Sequence, residues 1–209
     1  MLAPFWLLWL RVPLFTPRML VLALVGGVAY SLTVYSGFRL APVSHGALLV
    51  SGLLPFTMAI CVWLVLGEAP TQQMKRGLAL IATGVACLGL EMFLHGDYSL
   101  RIAAGDGLLV SASLLWALYT ALVRRWQYGP WETTIGVALL SALLYLPVYA
   151  LLRPQAILQA DMGEVVLQSL YQGVLVLIVA TVLYMQAMVR LGPARLGAMM
   201  ATVPAIAGI

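Results

Sequence analysis

Charge is scarce in this chain. Only 9% of its 209 residues are Asp, Glu, Lys or Arg, against about 25% in an average soluble domain. Asparagine is absent, so no N-glycosylation sequon exists. There are two histidines, His45 and His95, and two cysteines, Cys61 and Cys87. They are too few and too far apart for the usual zinc spacings. No His-Glu-x-x-His, Gly-x-Ser-x-Gly or Gly-x-x-x-x-Gly-Lys stretch occurs. Zinc hydrolysis, serine acyl transfer and nucleotide-driven chemistry therefore lose their signatures. The reading is of no enzyme, with no catalytic residue, no metal and no cofactor.

What fills the space is apolar. Hydrophobic residues make up 63% of the chain, and the mean hydropathy is +1.02. A soluble globule cannot cover so much apolar surface, so soluble enzymes and disordered tails are excluded. The net charge is +4, but the basic residues sit in short gaps between apolar runs. That placement speaks for membrane topology rather than nucleic acid. Both cysteines fall inside apolar runs and read as buried thiols without a disulfide. The N-terminus has no basic region ahead of its apolar stretch and does not read as a cleaved signal peptide.

A membrane helix needs roughly 20 apolar residues. A short run at Leu2–Leu10 looks like the tail of a span. Full-length runs follow at Met19–Phe38, Val43–Leu66, Gly77–Leu94, Gly107–Val123, Ile135–Leu152 and Val165–Val189. A last run starts near Leu196 and is still apolar at Ile209. The fold class is all-α: a polytopic transmembrane helix bundle with about six full spans plus two partial ones. Strict alternation, the mark of β-barrel strands, is missing. Numbered alternately, one set of gaps holds Arg11, Arg18, Lys75, Arg76, Arg124, Arg125, Arg190 and Arg195, and the other holds Arg39, Arg101 and Arg153. The positive-inside rule puts the first set in the cytoplasm. Asp97, Asp106, Asp161 and Glu164 then fall outside.

An internal repeat is present. Val21–Pro42 reads VLALVGGVAYSLTVYSGFRLAP and Gln172–Pro193 reads QGVLVLIVATVLYMQAMVRLGP. They align without gaps, with Arg39-Leu40 and Pro42 on Arg190-Leu191 and Pro193. Each is followed by Gly-Ala and then a proline: Gly46-Ala47 and Pro55, Gly197-Ala198 and Pro204. By the gap count the two copies point in opposite directions. Inverted repeats with a central site are typical of secondary transporters.

These residues resemble a known family. Ser44–Pro70, SHGALLVSGLLPFTMAICVWLVLGEAP, is similar to the EamA domain of the drug/metabolite transporter superfamily, with its mid-helix proline and a Gly-Glu at the end. GLALIATGVACLGL (Gly77–Leu90) and GDGLLVSASLLWALYTALVRR (Gly105–Arg125) follow in the family's order. The resemblance implies two inverted five-helix repeats, divided here as residues 1–100 and 101–209. Each would be incomplete, the first at its N-terminus and the second at its C-terminus. It also implies a carrier that exports small organic solutes, such as amino acids, metabolites or drugs, by alternating access. The expected partners are a lipid bilayer and a small-molecule solute, and the expected location is the inner cell membrane, crossed many times. The rival expectation is a truncated chain with no transport of its own, inactive or dependent on assembly, for instance as a homo-oligomer.

Polar groups inside spans are costly and should turn inward. Pro55 frees the carbonyl of Ser51, and Pro204 does the same for Met200. Each is a kink that could open a polar notch or be satisfied locally. Ser113, Trp116 and Thr120 share a helix face with Tyr119 beside them, lining a cavity or anchoring packing. Ser113, Ala117 and Ala121 form a small-residue stripe suited to close helix approach. Tyr30, Ser31, Thr33 and Tyr35 make one helix polar. In its inverted counterpart, Gln168 and Gln186 share a face near Gln172. Glu91 is the one acid within a span and a candidate for proton coupling. His45 reads as an interfacial residue without a role, and Glu68 as a structural partner of Lys75 and Arg76.

Overall fold

The computed structural model describes residues 14–95, 99–152 and 161–203. Every regular element among them is helical. In chain order these are α1 (Pro17–Leu40), α2 (Val43–Leu66), α3 (Gln72–His95), α4 (Leu100–Trp126), α5 (Pro130–Leu152), α6 (Met162–Leu191) and α7 (Pro193–Met200). Five of them, α1, α2, α4, α5 and α6, are long and apolar enough to cross a membrane.

Most helices overrun the apolar runs that mark them, because capping residues are polar. Thr16 accepts from the Met19 amide, with Pro17 in the first turn of α1. Ser99 accepts from the Ile102 amide and starts α4 well before Gly107. Asp161 accepts from the Gly163 amide and starts α6. Each such side chain satisfies a donor that the first helical turn leaves unpaired.

Cross-helix contacts fix the directions. α2 and α4 run parallel, with His45 beside Asp106 at one end and Glu68 beside Arg124 at the other. α1 runs against α4, so the Arg101 guanidinium donates to the Arg39 carbonyl while the Gly26 backbone meets the Tyr119 ring. Thr16 and Tyr128 hydroxyls meet at 3.3 Å. Arg18, Lys75, Arg76, Arg124, Arg125 and Arg195 thus gather at one end of the bundle, as the alternating gaps require.

α4 is the hub. Tyr119 and Val123 join an apolar cluster with Met19, Leu22, Met185 and Met188. Ala117 and Ala121 pack on Leu54, Met58, Cys61 and Val62 of α2. Leu109 and Ala112 pack on Val34 and Ala41. The small-residue stripe therefore does receive a helix, α2. In lipid, such close van der Waals contact replaces the hydrophobic drive that water would supply.

Three stretches are wound wider than an α-helix: Ala23–Ala29, Ala47–Gly52 and Tyr171–Ala180. The first and third end at aligned positions of the repeated segments. Each is followed by an 11-residue α-helix, Tyr30–Leu40 and Thr181–Leu191. Each of those ends at a residue before proline, Ala41 and Gly192, as expected where the residue before proline avoids the helical region.

Several expectations are corrected. His45 is buried, 6% exposed, and its Nδ1 lies 2.7 Å from Oδ1 of buried Asp106. Asp106 belongs to α4, not to a loop, because Ser99 starts that helix early. Glu68 pairs with Arg124, not Lys75 or Arg76. The Arg124 Nη1 donates to Oε2 of Glu68 at 2.8 Å and the Arg124 Nη2 to Oε1 at 2.9 Å. α4 ends directly beside the α2 terminus, while Lys75 and Arg76 lead away on α3. Cys61 is buried but Cys87 is exposed, since α3 packs on the rest chiefly through the Ala47–Gly52 stretch. Pro55 does not kink a continuous helix. The chain breaks at Leu53, and Pro55 sits in the first turn of the restarted helix Leu54–Leu66. There its missing N–H is no loss.

Candidate functional site

A cavity of about 770 Å³ opens midway along the bundle. α1 contributes Gly26, Gly27, Tyr30, Ser31, Val34, Tyr35 and Phe38 to its wall. Val50, Ser51 and Leu54 come from α2, Trp116 and Tyr119 from α4, and Thr134, Val137, Ala138 and Ser141 from α5. α6 supplies Gln172, Gly173, Val176, Leu177, Ala180, Thr181 and Tyr184. Met200 of α7 completes the described wall.

Trp116 is the centre of an aromatic group. Its ring lies 5.0 Å from Tyr30, 5.3 Å from Tyr119 and 5.4 Å from Tyr184, centroid to centroid, all tilted. Tilted pairs at such separations suit the ring quadrupoles. The group depends on the wide turns of α1. A Cβ at Gly26 would overlap the Tyr119 ring, and one at Gly27 would overlap the Ser141 hydroxyl. Only glycine lets the α1 backbone sit so close to α4 and α5.

The residues singled out in the sequence divide into groups. Tyr30, Ser31, Tyr35, Ser51, Trp116 and Tyr119 all line the cavity. Ser113 and Thr120 do not; they bond between and within helices behind it. The Ser113 hydroxyl lies 3.0 Å from the Val50 carbonyl and 3.1 Å from the Thr57 hydroxyl. The Thr57 hydroxyl in turn reaches the Leu54 carbonyl at 3.1 Å. With one proton on each hydroxyl, two of these three contacts act as hydrogen bonds at a time. Together they satisfy carbonyls on both sides of the α2 break. Thr120 donates to the Trp116 carbonyl at 2.9 Å and meets the Tyr184 hydroxyl at 3.4 Å.

Pro55 faces a separate pocket of about 470 Å³, lined by Thr71, Met74 and Arg195 among others. Gln186 is half-buried outside the cavity wall, and Gln168 is exposed. Gln172 is the glutamine that lines the cavity. A 3.6-residue wheel misplaces these faces because the wide turns of Tyr171–Ala180 rotate everything beyond them. The Glu91 side chain and Pro204 lie outside the described residues.

Sequence reasoning missed Tyr184, Thr134 and Ser141. Tyr184 carried one signal: with Thr181 it lies at i, i+3 on the repeated helix, aligned with Tyr30 and Thr33. Thr134 and Ser141, with Val137 and Ala138, lie at i, i+3, i+4 and i+7 on α5, one face of a helix. Among the described residues no three His, Cys, Asp or Glu side chains are grouped to hold a metal ion.

Comparison with known proteins places the chain. Residues 103–209 match the model of the EamA-like transporter family. The chain belongs to the EamA-like transporter family. It is thus a multi-pass membrane protein, in keeping with its five helices that are long and apolar enough to cross a membrane. A relative matched over 126 residues at 25% identity is named "Uncharacterized transporter YyaM", from Bacillus subtilis (strain 168). That match takes in 59% of this EamA-like chain and 41% of the relative. The chain therefore spans about two fifths of the length of the curated relative it matches. No solved structure matches it.

Proposed function

We propose that this EamA-like chain is the cavity-bearing part of a secondary carrier that moves small organic solutes by alternating access. One observation carries the reading. The cavity is walled jointly by α1 and α2, from residues 1–100, and by α4, α5, α6 and α7, from residues 101–209, the two stretches read here as inverted units. A site at such a junction is what inverted-repeat carriers use. The volume of about 770 Å³ falls in the range of pockets for small organic ligands. Matched wide turns in α1 and α6 support the repeat, with α1 and α6 running in opposite directions through the bundle. Rocking of the two units about the α2 break at Leu53 would expose the cavity to alternate sides. The basic end, with Arg124, Arg125, Lys75 and Arg76, faces the cytoplasm of a cell whose inner membrane holds the protein, and flux is outward.

The test is transport. The chain is reconstituted in vesicles and loaded with a panel of amino acids, metabolites and drug-like solutes. Efflux of at least one member that Trp116→Ala abolishes is the expected result. Correctly inserted protein that moves no member would overturn the reading.

A further inference from the structure

The cavity carries more information than its size. Its described wall holds no Asp, Glu, Lys, Arg or His. It offers aromatic faces, small hydroxyls and the Gln172 amide. A full charge moved into such a place gives up its hydration and meets no opposite charge among the described wall residues, which is among the costliest transfers in protein chemistry. A zwitterion has the same difficulty twice.

One wall group is also out of balance. Thr134 is 3% exposed, and its Oγ1 has no hydrogen-bond partner among the described residues. A helical threonine can ordinarily give its hydroxyl proton to the carbonyl four residues back. Thr133, its neighbour, does so, donating to the Gly129 carbonyl at 2.6 Å. Ser141, two turns further along the same face, donates to the Ala23 carbonyl of α1 at 3.3 Å. Thr134 does neither, and the residue belongs to the cavity wall, its hydroxyl oxygen covered in this conformation. Buried polar groups are nearly always paired, so an orphan at a cavity wall points to a partner that arrives from the cavity.

We propose that the cavity binds a solute with no formal charge, having a planar apolar body that packs on the Trp116 group, and that the Thr134 hydroxyl makes the hydrogen bond that orients it. This deepens the carrier reading above and rests on the same cavity. The Trp116, Tyr30 and Tyr184 rings give the flat body its contact area. Thr134 reads one polar group of the solute.

The experiment uses four probes with one body and different charge. They are N-acetylphenylalaninamide (neutral), phenylalaninamide (cation), N-acetylphenylalanine (anion) and phenylalanine (zwitterion). Equilibrium dialysis measures their binding to the purified chain in detergent. The neutral probe should bind at least about tenfold more tightly than the other three. Thr134→Val should weaken it by about tenfold, the worth of one neutral hydrogen bond. Thr134→Ser, which keeps the hydroxyl, should stay within about threefold of the original. The unfolding midpoint of Thr134→Val should be equal to or above that of the original chain, because an unpaired hydroxyl has been removed. A lower midpoint would assign Thr134 a structural role instead. Equal or tighter binding of any charged probe would overturn the solute class. Unchanged binding in Thr134→Val would overturn the role of Thr134, and no binding of the neutral probe would overturn both. The two proposals fail separately. Vesicle flux of a charged solute would leave the carrier and sink the neutral site; neutral-selective binding without flux would do the reverse.

Discussion

α1 and α6 carry the two copies of the repeated segment and end their wide turns at the same aligned position, yet they are buried very differently. Both have wide turns followed by 11 α-helical residues and a stop before proline. In α1 the wide stretch contains two buried residues, Ala23 and Gly26, the latter under the Tyr119 ring. The corresponding stretch of α6 contains none. Similar winding therefore does not bring similar burial, which follows the neighbours. The glycines show the division. Gly26 and Gly27 lie where α1 touches α4 and α5, while their aligned counterparts in α6 are Leu177 and Ile178. Gly173 of α6 has open space around its Cα.

The comparison is sharpest just past the shared turn. His45 aligns with Leu196, and both are 6% exposed. One is hydrogen-bonded to Asp106, and the other sits in an apolar cluster. His45→Leu would make the first copy like the second but would strip Asp106 of the imidazole. Removing one partner of a buried hydrogen bond to a carboxyl group costs about 1.5–3 kcal/mol. The loss should appear in SDS-titrated unfolding in mixed micelles. A loss below about 1 kcal/mol, the scale of an exposed pair, would mean that the pair is not the tie it looks to be.

A smaller effect is expected from the glycines. Gly26→Leu makes α1 read like α6 at that position and should destabilise by about 1–3 kcal/mol, because α1 must move off Tyr119. Gly173→Leu, placed in open space, should change stability by no more than about 0.5 kcal/mol. Equal losses at the two positions, read from the same unfolding curves, would erase the contrast between the copies.

The smallest effect sets the baseline. Glu68 and Arg124 meet face to face, but their side chains are 53% and 35% exposed. Solvent screens such a pair, so Glu68→Gln should cost no more than about 1 kcal/mol despite its two-pronged geometry. A loss as large as that of His45→Leu would show that the two ends of the α2–α4 pair are tied equally.

Much of this architecture was legible in the chain. Apolar runs located the long helices, since spanning lipid demands about 20 apolar residues each. Their ends were less clear, because the caps Thr16, Ser99 and Asp161 are polar and fall outside the apolar count. Arginine placement separated the two ends of the bundle. The repeat foretold that Tyr30–Leu40 and Thr181–Leu191 would be alike. Of the polar residues singled out, Tyr30, Ser31, Tyr35, Ser51, Trp116 and Tyr119 do line the cavity. Ser113 and Thr120 lie one helical face away, and Gln168 was misplaced by wide turns that no 3.6-residue wheel contains.

The sequence by itself determined the solvent this protein lives in, its all-helical class and where most of the long helices run, though the apolar run Gly77–Leu94, read as a sixth full span, is not among the five helices long and apolar enough to cross. Those are properties of consecutive residues: hydropathy summed over a span, proline without its N–H, charge beside a run. Only the tertiary structure decided which polar groups are spent on other helices and which are left to the cavity. Ser141 finds the Ala23 carbonyl of α1 and Thr120 finds Tyr184 of α6, partners far away in sequence, whereas Thr134 finds none among the described residues. A hydroxyl in an apolar helix looks the same in every such case until its neighbours are known, because its partner is set by packing and not by the residues beside it.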